Sequence, residues 1–417
     1  MDLKKDISVR EIISRICFAD RKKLMIFLYI GSLIVNLLYF AYSKEPWLMG
    51  NPGEDFDSYF FINAGKMLFS DFAGFADKYG SMPYYWIYFV FMGLYLKIFG
   101  ENFTGLVIIQ GIIDAASVPI LYLVAEKVTK DRRIHILASM LYMFCFSTVR
   151  WTTLVGSDFL GAAFMPVCLY FLFSYLNDDN KKKDLIKLLI SLVLYFLMRT
   201  NAIVFIICAL IAVIWSMGKK ARIIFGSAAG VVVAAVGALL LIPESEVIHS
   251  VRDNLWYFDM LYQNGAIVKN LYTYIYAADA EYGTFPFYWA CAGVVFYRFF
   301  YYWTAIDVGV NNGRFYPRTT YAITHYLPNL YVFSSMFLGM IICKSRKDRE
   351  AKNIGIISRI IWCCCIVQIL CEINQNWRYR DIIMPMCFIV CAYGTIGFYD
   401  MLKKQDKTED EKCSMNS

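Results

Sequence analysis

The sequence predicts an all-α polytopic membrane protein with about ten transmembrane helices. Three observations lead there. Hydrophobic residues make up 59% of the 417 and charged ones 18%; mean hydropathy is +0.48; and apolar runs alternate with short basic turns along the chain. This composition lies outside the range of soluble globular proteins. No Gly/Ser-rich linker, low-complexity tract or short repeat divides it. Residues 24–400 are therefore read as one transmembrane domain between a cytoplasmic segment 1–23 and a cytoplasmic tail 401–417. The opening 23 residues are too charged, and too long before the first apolar run, for a secretory leader, so that run should remain as an anchor.

An apolar stretch of about 17 to 25 residues crosses the hydrocarbon as a helix, which satisfies its own backbone groups. Spans are expected near 24–42, 103–126, 134–149, 158–176, 186–198, 201–216, 222–242, 326–343, 354–372 and 382–400. An even number of spans puts both ends on one side. The basic connections RKK (21–23), KVTKDRR (127–133), NDDNKKKD (177–184), MGKKAR (217–222) and KSRKDREAK (344–352) then fall together with the Lys-containing tail. All are cytoplasmic under the positive-inside rule. The opposite side receives a first external loop 43–102, the turns at 150–158 and 199–200, a long external segment 243–325, and NQNWRYRD at 374–381. Two apolar stretches do not suit ordinary spans. PYYWIYFVFMGLYLKIFG (83–100) is short and Tyr-rich, and FPFYWACAGVVFYRFFYYW (285–303) carries Arg298. Both read as interfacial or re-entrant helices, where Trp and Tyr are favoured.

Thirteen cysteines fall mostly within spans, which leaves no disulfide framework, and the adjacent Cys363, Cys364 and Cys365 point in three directions around a helix, as packing residues do. The net charge of +7 comes from short turns at span ends, as topology demands, so nucleic acid is not an expected partner.

Chemistry gathers on the acidic, aromatic face. In NPGEDFDSYFFINAGKML (51–68) a turn precedes a helix that Asp57 or Ser58 can cap. Glu54, Asp55 and Asp57 stand at the membrane boundary, where a partly desolvated carboxylate can accept a proton from a nucleophilic hydroxyl. In WRYRD (377–381), Arg378 and Arg380 flank Tyr379 and could hold a phosphate or snorkel to head groups. Asp158 opens the fourth span as a helix cap or as a ligand for a metal or acceptor, and Asp114 sits mid-span, where a carboxylate is costly and pairing is the plainer account. Arg199 and Arg298 lie on the outer face, where a guanidinium can meet a phosphate or ordinary lipid. The Tyr- and Asn-rich run within 254–285 suits sugar stacking as well as interfacial anchoring.

The order of these features resembles the GT-C membrane glycosyltransferases, in particular the bacterial group similar to protein O-mannosyltransferases and lipid A aminoarabinose transferases. An acidic motif followed by Tyr59 opens the first external loop. A Pro- and aromatic-containing short helix ending in LKIFG follows, then a span and a basic turn, an Arg-containing link MRTNAIVF (198–205), and WRYRDIIMP near the C-terminus. The common form has adjacent Asp-Glu before the Tyr, whereas here Phe56 separates Asp55 from Asp57. The resemblance implies a GT-C-like bundle. It also implies inverting transfer of a sugar from a polyprenyl-phosphate carrier to a glycan, lipid or protein acceptor on the outside of a bacterial plasma membrane. Asp57, or else Asp55, would be the general base; Tyr59, Glu54, Asp158 and Tyr379 would contact substrate; and Arg378, Arg380, Arg199 and Arg298 would face the carrier phosphate. No definite cofactor is implied, and a divalent metal is left open. A transporter or flippase and an O-antigen-type polymerase of lipid-linked glycans are the alternatives.

Overall fold

The computed structural model describes residues 20–44, 46–49, 57–178, 181–199, 202–219, 326–371 and 380–415, with Ile223, Ser227, Phe299, Tyr302 and Trp303 singly. Among them there is no β-strand, only an isolated bridge between Trp47 and Leu154. The chain is an all-α polytopic membrane protein. Six described helices are long and apolar enough to cross a bilayer, or seven if a bent pair counts as one.

The first helix, α1 (Arg21–Ser43), shows how lipid and core divide one surface. Asp20 caps it by accepting from the backbone N–H groups of Lys22 and Lys23. Leu24, Leu28, Ser32, Asn36 and Tyr39 form its buried stripe. Ile26, Ile30, Ile34 and Leu38 are exposed on the other face, which in water would be a liability and in lipid is the expected dress.

A second, aromatic-rich core follows α1. Here α2 (Asp57–Ser70), α3 (Phe72–Tyr79), a 3₁₀ turn at Pro83–Tyr85 and α4 (Trp86–Phe99) enclose Phe61, Phe75, Tyr79, Tyr88 and Phe89. Backbones of α2 and α4 meet at two glycines: a Cβ on Gly65 would stand 2.9 Å from the N of Gly93, and one on Gly93 would stand 2.7 Å from the O of Gly65. At about 21 Å, the 14-residue α4 is shorter than a hydrocarbon core of about 30 Å. Its exposed Val90, Leu94 and Ile98 lie along one face, as expected of a helix lying in the interface.

The bundle proper begins with α5 (Phe103–Val128), capped by Asn102. Next come α6 (Arg132–Met143) and the short α7 (Phe146–Val149) with its 3₁₀ extension Arg150–Thr152; the two parts are bent by 44°, so the span expected at 134–149 is broken in its C-terminal half. Helix α8 (Asp158–Asn177) sits centrally against α5, α9 (Lys181–Phe196) and α10 (Ala202–Ser216). Two more spans, α11 (Leu327–Ser345) and α12 (Arg349–Cys371), precede a 3₁₀ turn at Asp381–Ile383 and the long α13 (Met384–Met415). Helices α11 and α13 approach closely enough that a Cβ on Gly339 would stand 2.4 Å from the O of Val390. Nine of the ten expected spans thus coincide with described helices, while 222–242 and the late interfacial stretch 285–303 lie wholly or mostly outside the described residues.

The two ends of the bundle differ in kind. At one end, Arg21 pairs with Glu126 at 2.5 Å, Lys127 with Asp178, and Arg133 with Asp131 and Asp400 at 2.7 Å each. Arg349 donates to the Asn177 carbonyl at 2.8 Å. The basic turns therefore meet at one pole. The opposite pole carries the ends of α1, α7, α9 and the Asp381 turn, and is aromatic.

Candidate functional site

The aromatic pole is assembled around the turn at 150–158. Leaving α1, the chain lays Trp47 beside this turn: Trp47 N–H donates to the Thr153 carbonyl at 2.8 Å and Val155 N–H to the Trp47 carbonyl at 3.0 Å. The rings of Trp47 and Trp151 stack at 5.9 Å, and the Arg150 guanidinium lies 4.2 Å from the Trp151 ring centre. Two residues on, Met49 N–H donates to Ser58 Oγ at 2.9 Å, and Ser58 N–H to the Met49 carbonyl at 3.1 Å. Met49 and Ser58, which flank the acidic stretch, are thus held together close to Trp47. Asp57 is the first residue of α2, and Ser58, a candidate cap in the sequence, spends its hydroxyl on Met49 instead. Tyr59 is half-buried and packs against the aromatic core. Glu54 and Asp55 lie outside the described residues, as does the side chain of Asp57.

On the other side of Trp151 stands the Arg-containing turn. Trp151 Nε1 donates to Asp381 Oδ2 at 2.7 Å, and Arg380 Nη2 donates to Asp381 Oδ1 at 3.1 Å. Arg380 also donates to the carbonyls of Tyr302 and Trp303 at 3.1 and 3.2 Å. Arg380 and Asp381 are each only 1% exposed. A guanidinium so placed does not snorkel to head groups; it is a fixed internal donor. Arg378, Tyr379 and Arg298 lie outside the described residues.

A second buried ion pair adjoins the first. Arg199 Nη2 meets Asp158 Oδ1 at 2.6 Å, and Arg199 Nη1 donates to Ser157 Oγ at 3.3 Å. Asp158 is thus the first residue of α8 and a partner for Arg199, while Ser157 occupies the cap position without a side-chain capping bond. The two pairs share a wall: a Cβ on Gly161 would touch both Arg199 Cδ and Ile382 Cγ1 at 3.2 Å. The N–H of Ile87 in α4 donates to the Leu197 carbonyl at 3.1 Å, which fixes the Arg199 turn against the interfacial helix.

Beneath this layer runs a polar chain inside the membrane domain. Tyr88 donates to Gln110 Oε1 at 2.8 Å, and Gln110 Nε2 donates to the carbonyls of Thr152 and Leu154 at 2.7 and 2.8 Å. Thr152 Oγ1 donates to Asn36 Oδ1 at 3.0 Å, and Asn36 Nδ2 to Asp114 Oδ2 at 3.2 Å. Asp114 is therefore hydrogen-bonded across two helices, the plainer of its two sequence readings. A mostly apolar cleft of about 250 Å³ opens nearby between Phe144, Tyr331, Val332 and Phe388, reaching Met384 three residues after Asp381.

Sequence reasoning missed Asp381, Trp151, Arg150 and Gln110 as members of this layer. Asp381 was in view as the last letter of WRYRD, and a carboxylate next to two arginines at a span end signals a local pair. No signal in one sequence joins Trp151 to it across 230 positions. Among the described residues, no group of three or more His, Cys, Asp or Glu side chains converges as metal ligands do.

Residues 85–245 match the model of the family described as dolichyl-phosphate-mannose-protein mannosyltransferase. The chain is similar to the GT-C membrane glycosyltransferases. This is the resemblance that the order of motifs led us to expect, and it supports a glycosyltransferase as the enzyme class. The matched stretch runs from the start of α4 past the end of α10 and contains Trp151, Asp158 and Arg199; the acidic motif and Arg380 fall outside it. No curated protein and no solved structure matches the chain.

Proposed function

We propose that this protein is a GT-C-type enzyme that moves a sugar, a mannose-like hexose in first choice, from a polyprenyl phosphate to an acceptor hydroxyl on the extracytoplasmic face. The single observation that supports this best is the family likeness over 85–245, taken with a pole where two buried arginines and the anchor points of the acidic segment share one wall. On this reading the basic pole is cytoplasmic and the aromatic pole external.

The reaction fits the arrangement chemically. Asp57 or Asp55 removes the acceptor proton, and the acceptor oxygen attacks the anomeric carbon as its bond to the phosphate oxygen breaks. The lipid phosphate leaves with the electron pair. General base assistance contributes about 10²–10⁴ in rate. With Arg380 and Arg199 engaged by carboxylates, Arg378 is our first choice for the charge growing on the phosphate and Arg298 the second. Arg380 and Arg199, each bound to a carboxylate, are positioning residues that hold the pole together and add a positive field. The cleft beside Met384 suits the apolar chain of the carrier. The same transfer assay, run with a chelator and with protein, lipid or glycan acceptors, reads out any divalent-metal requirement and the acceptor class.

The test is transfer from radiolabelled polyprenyl-phosphate sugars in membranes containing wild type, Asp55→Asn or Asp57→Asn. Asn caps a helix about as well as Asp, so the exchange removes a base and keeps the fold. One of the two variants should accumulate normally and lose transfer by at least about 10². Wild-type transfer by both variants would remove the base assignment.

A further inference from the structure

A cavity of about 600 Å³ lies at the pole opposite the candidate site, between the basic ends of α8, α10 and α12. Its walls are of two kinds. Ile211, Trp215 and Ile356 are apolar, and Trp215 is exposed. The charged lining is cationic among the described residues: Arg349, Lys352 and Arg359 line it beside the neutral Asn177, Ser216 and Asn353, and no Asp or Glu does.

The three cations differ in their duties. Arg349 is committed to Asn177, donating from Nε to Oδ1 at 3.0 Å and from Nη2 to the carbonyl at 2.8 Å, so it closes the floor. Lys352 and Arg359 are exposed and share one face of α12, seven residues apart, with Ile356 between them. Arg359 stands ten residues into a span, about 15 Å along its axis, where an unaccompanied charge facing lipid is costly. Its side chain turns back toward the basic pole over Gly355: Nη2 lies 3.8 Å from where a Cβ on that residue would be. A larger side chain at 355 would crowd this path. The result is a pair of cations converging at the mouth of an apolar groove.

We propose that this cavity binds an anionic phospholipid of the surrounding leaflet, with its phosphate between Lys352 and Arg359 and an acyl chain along Ile211, Trp215 and Ile356. A charged lining of cations alone favours an anion, and the guanidinium fork suits phosphate oxygens. The apolar wall favours an ion that carries a hydrocarbon chain over a free one. The site does not rest on the transferase reading, because its occupant is neither donor nor acceptor and its readout is lipid retention.

Native mass spectrometry of the purified full chain in mild detergent tests this, with phosphatidylglycerol, phosphatidylcholine or polyprenyl phosphate added at equal concentration. Phosphatidylglycerol should be retained about tenfold better than phosphatidylcholine, a preference abolished by Lys352→Gln combined with Arg359→Gln. Ala212→Trp, which fills the cavity and keeps every charge, should lower retention as well. Normal size-exclusion behaviour and helicity would show that the variants fold. Equal retention of both phospholipids, or an unchanged preference in the double variant, would overturn the proposal. So would polyprenyl phosphate outcompeting phosphatidylglycerol at the Arg359-dependent site, or displacement of the lipid by inorganic phosphate alone.

Discussion

The two poles of this bundle use the same residue types to opposite ends. At the basic pole Arg21, Lys127 and Arg133 meet carboxylates while keeping between a quarter and three-fifths of their side chains in solvent. At the aromatic pole the Arg199–Asp158 and Arg380–Asp381 pairs are at most 5% exposed. Water screens the first set, so each pair is worth about 0–1 kcal/mol and the charges serve chiefly to orient the chain in the membrane. The second set has lost its hydration, and its charges are met by protein groups, the paired partner first among them. Buried pairs of this kind add little stability over an apolar replacement, yet removing one partner costs about 3–5 kcal/mol because the other is stranded. They are devices for holding geometry, and they occur where a charged leaving group would need a preorganised field.

The comparison breaks most readily at Arg199. Arg199→Ala should destabilise the protein in detergent by about 3–5 kcal/mol, seen as a large fall in midpoint temperature. The joint change Arg199→Leu with Asp158→Leu should recover most of that stability while leaving sugar transfer impaired. If the double change is as unstable as the single one, the pair is not a unit and the contrast between the poles fails.

Trp151→Phe comes next. It keeps the ring against Trp47 but removes the donor to Asp381, which would leave one lobe of a buried carboxylate without that bond. The cost should be about 1–3 kcal/mol. Transfer should fall through kcat more than through KM, since the loss is of positioning. At the basic pole, Lys127→Ala or Arg21→Ala should change stability by less than about 1 kcal/mol, and differential scanning fluorimetry would resolve the ranking.

The sequence made the bundle legible because apolar runs and basic turns are dictated locally by the bilayer. Nine of the expected stretches coincide with described helices, six or seven of them long and apolar enough to cross a bilayer, and the 83–100 stretch stood apart by being short and rich in Tyr. The candidate site was half legible. WRYRD and the acidic motif stood out as charges near span ends, but their relation to each other passes through Trp47 and Trp151, aromatic residues with nothing unusual in their local sequence. Asp158 resembled a cap because it begins a helix. Only the fold brings Arg199 to it across 41 positions and turns the cap into an ion pair. Gly65 and Gly93 were equally silent, since a glycine in an apolar run does not announce which helix will lie against it.

The smallest effect sharpens the comparison from the basic side. Burial pushes the Asp131 carboxyl up, but hydrogen bonds from the Arg133 side chain and backbone N–H outweigh this and hold it below the usual carboxylate value. A depressed folded-state pKa means the contribution is complete above the unfolded value, near pH 4, and is lost as pH falls through the folded value. Asp131 is about one-third exposed on its side chain, so solvent screening keeps this term small. Asp131→Asn should therefore lower stability slightly at neutral pH and remove part of the acid limb below about pH 4, in a pH series of melting temperatures. Equal pH profiles for wild type and variant would mean that the Asp131–Arg133 pair contributes no pH-dependent stability. The polar links left at that pole would then include Arg21–Glu126, Lys127–Asp178, Arg133–Asp400 and Arg349–Asn177.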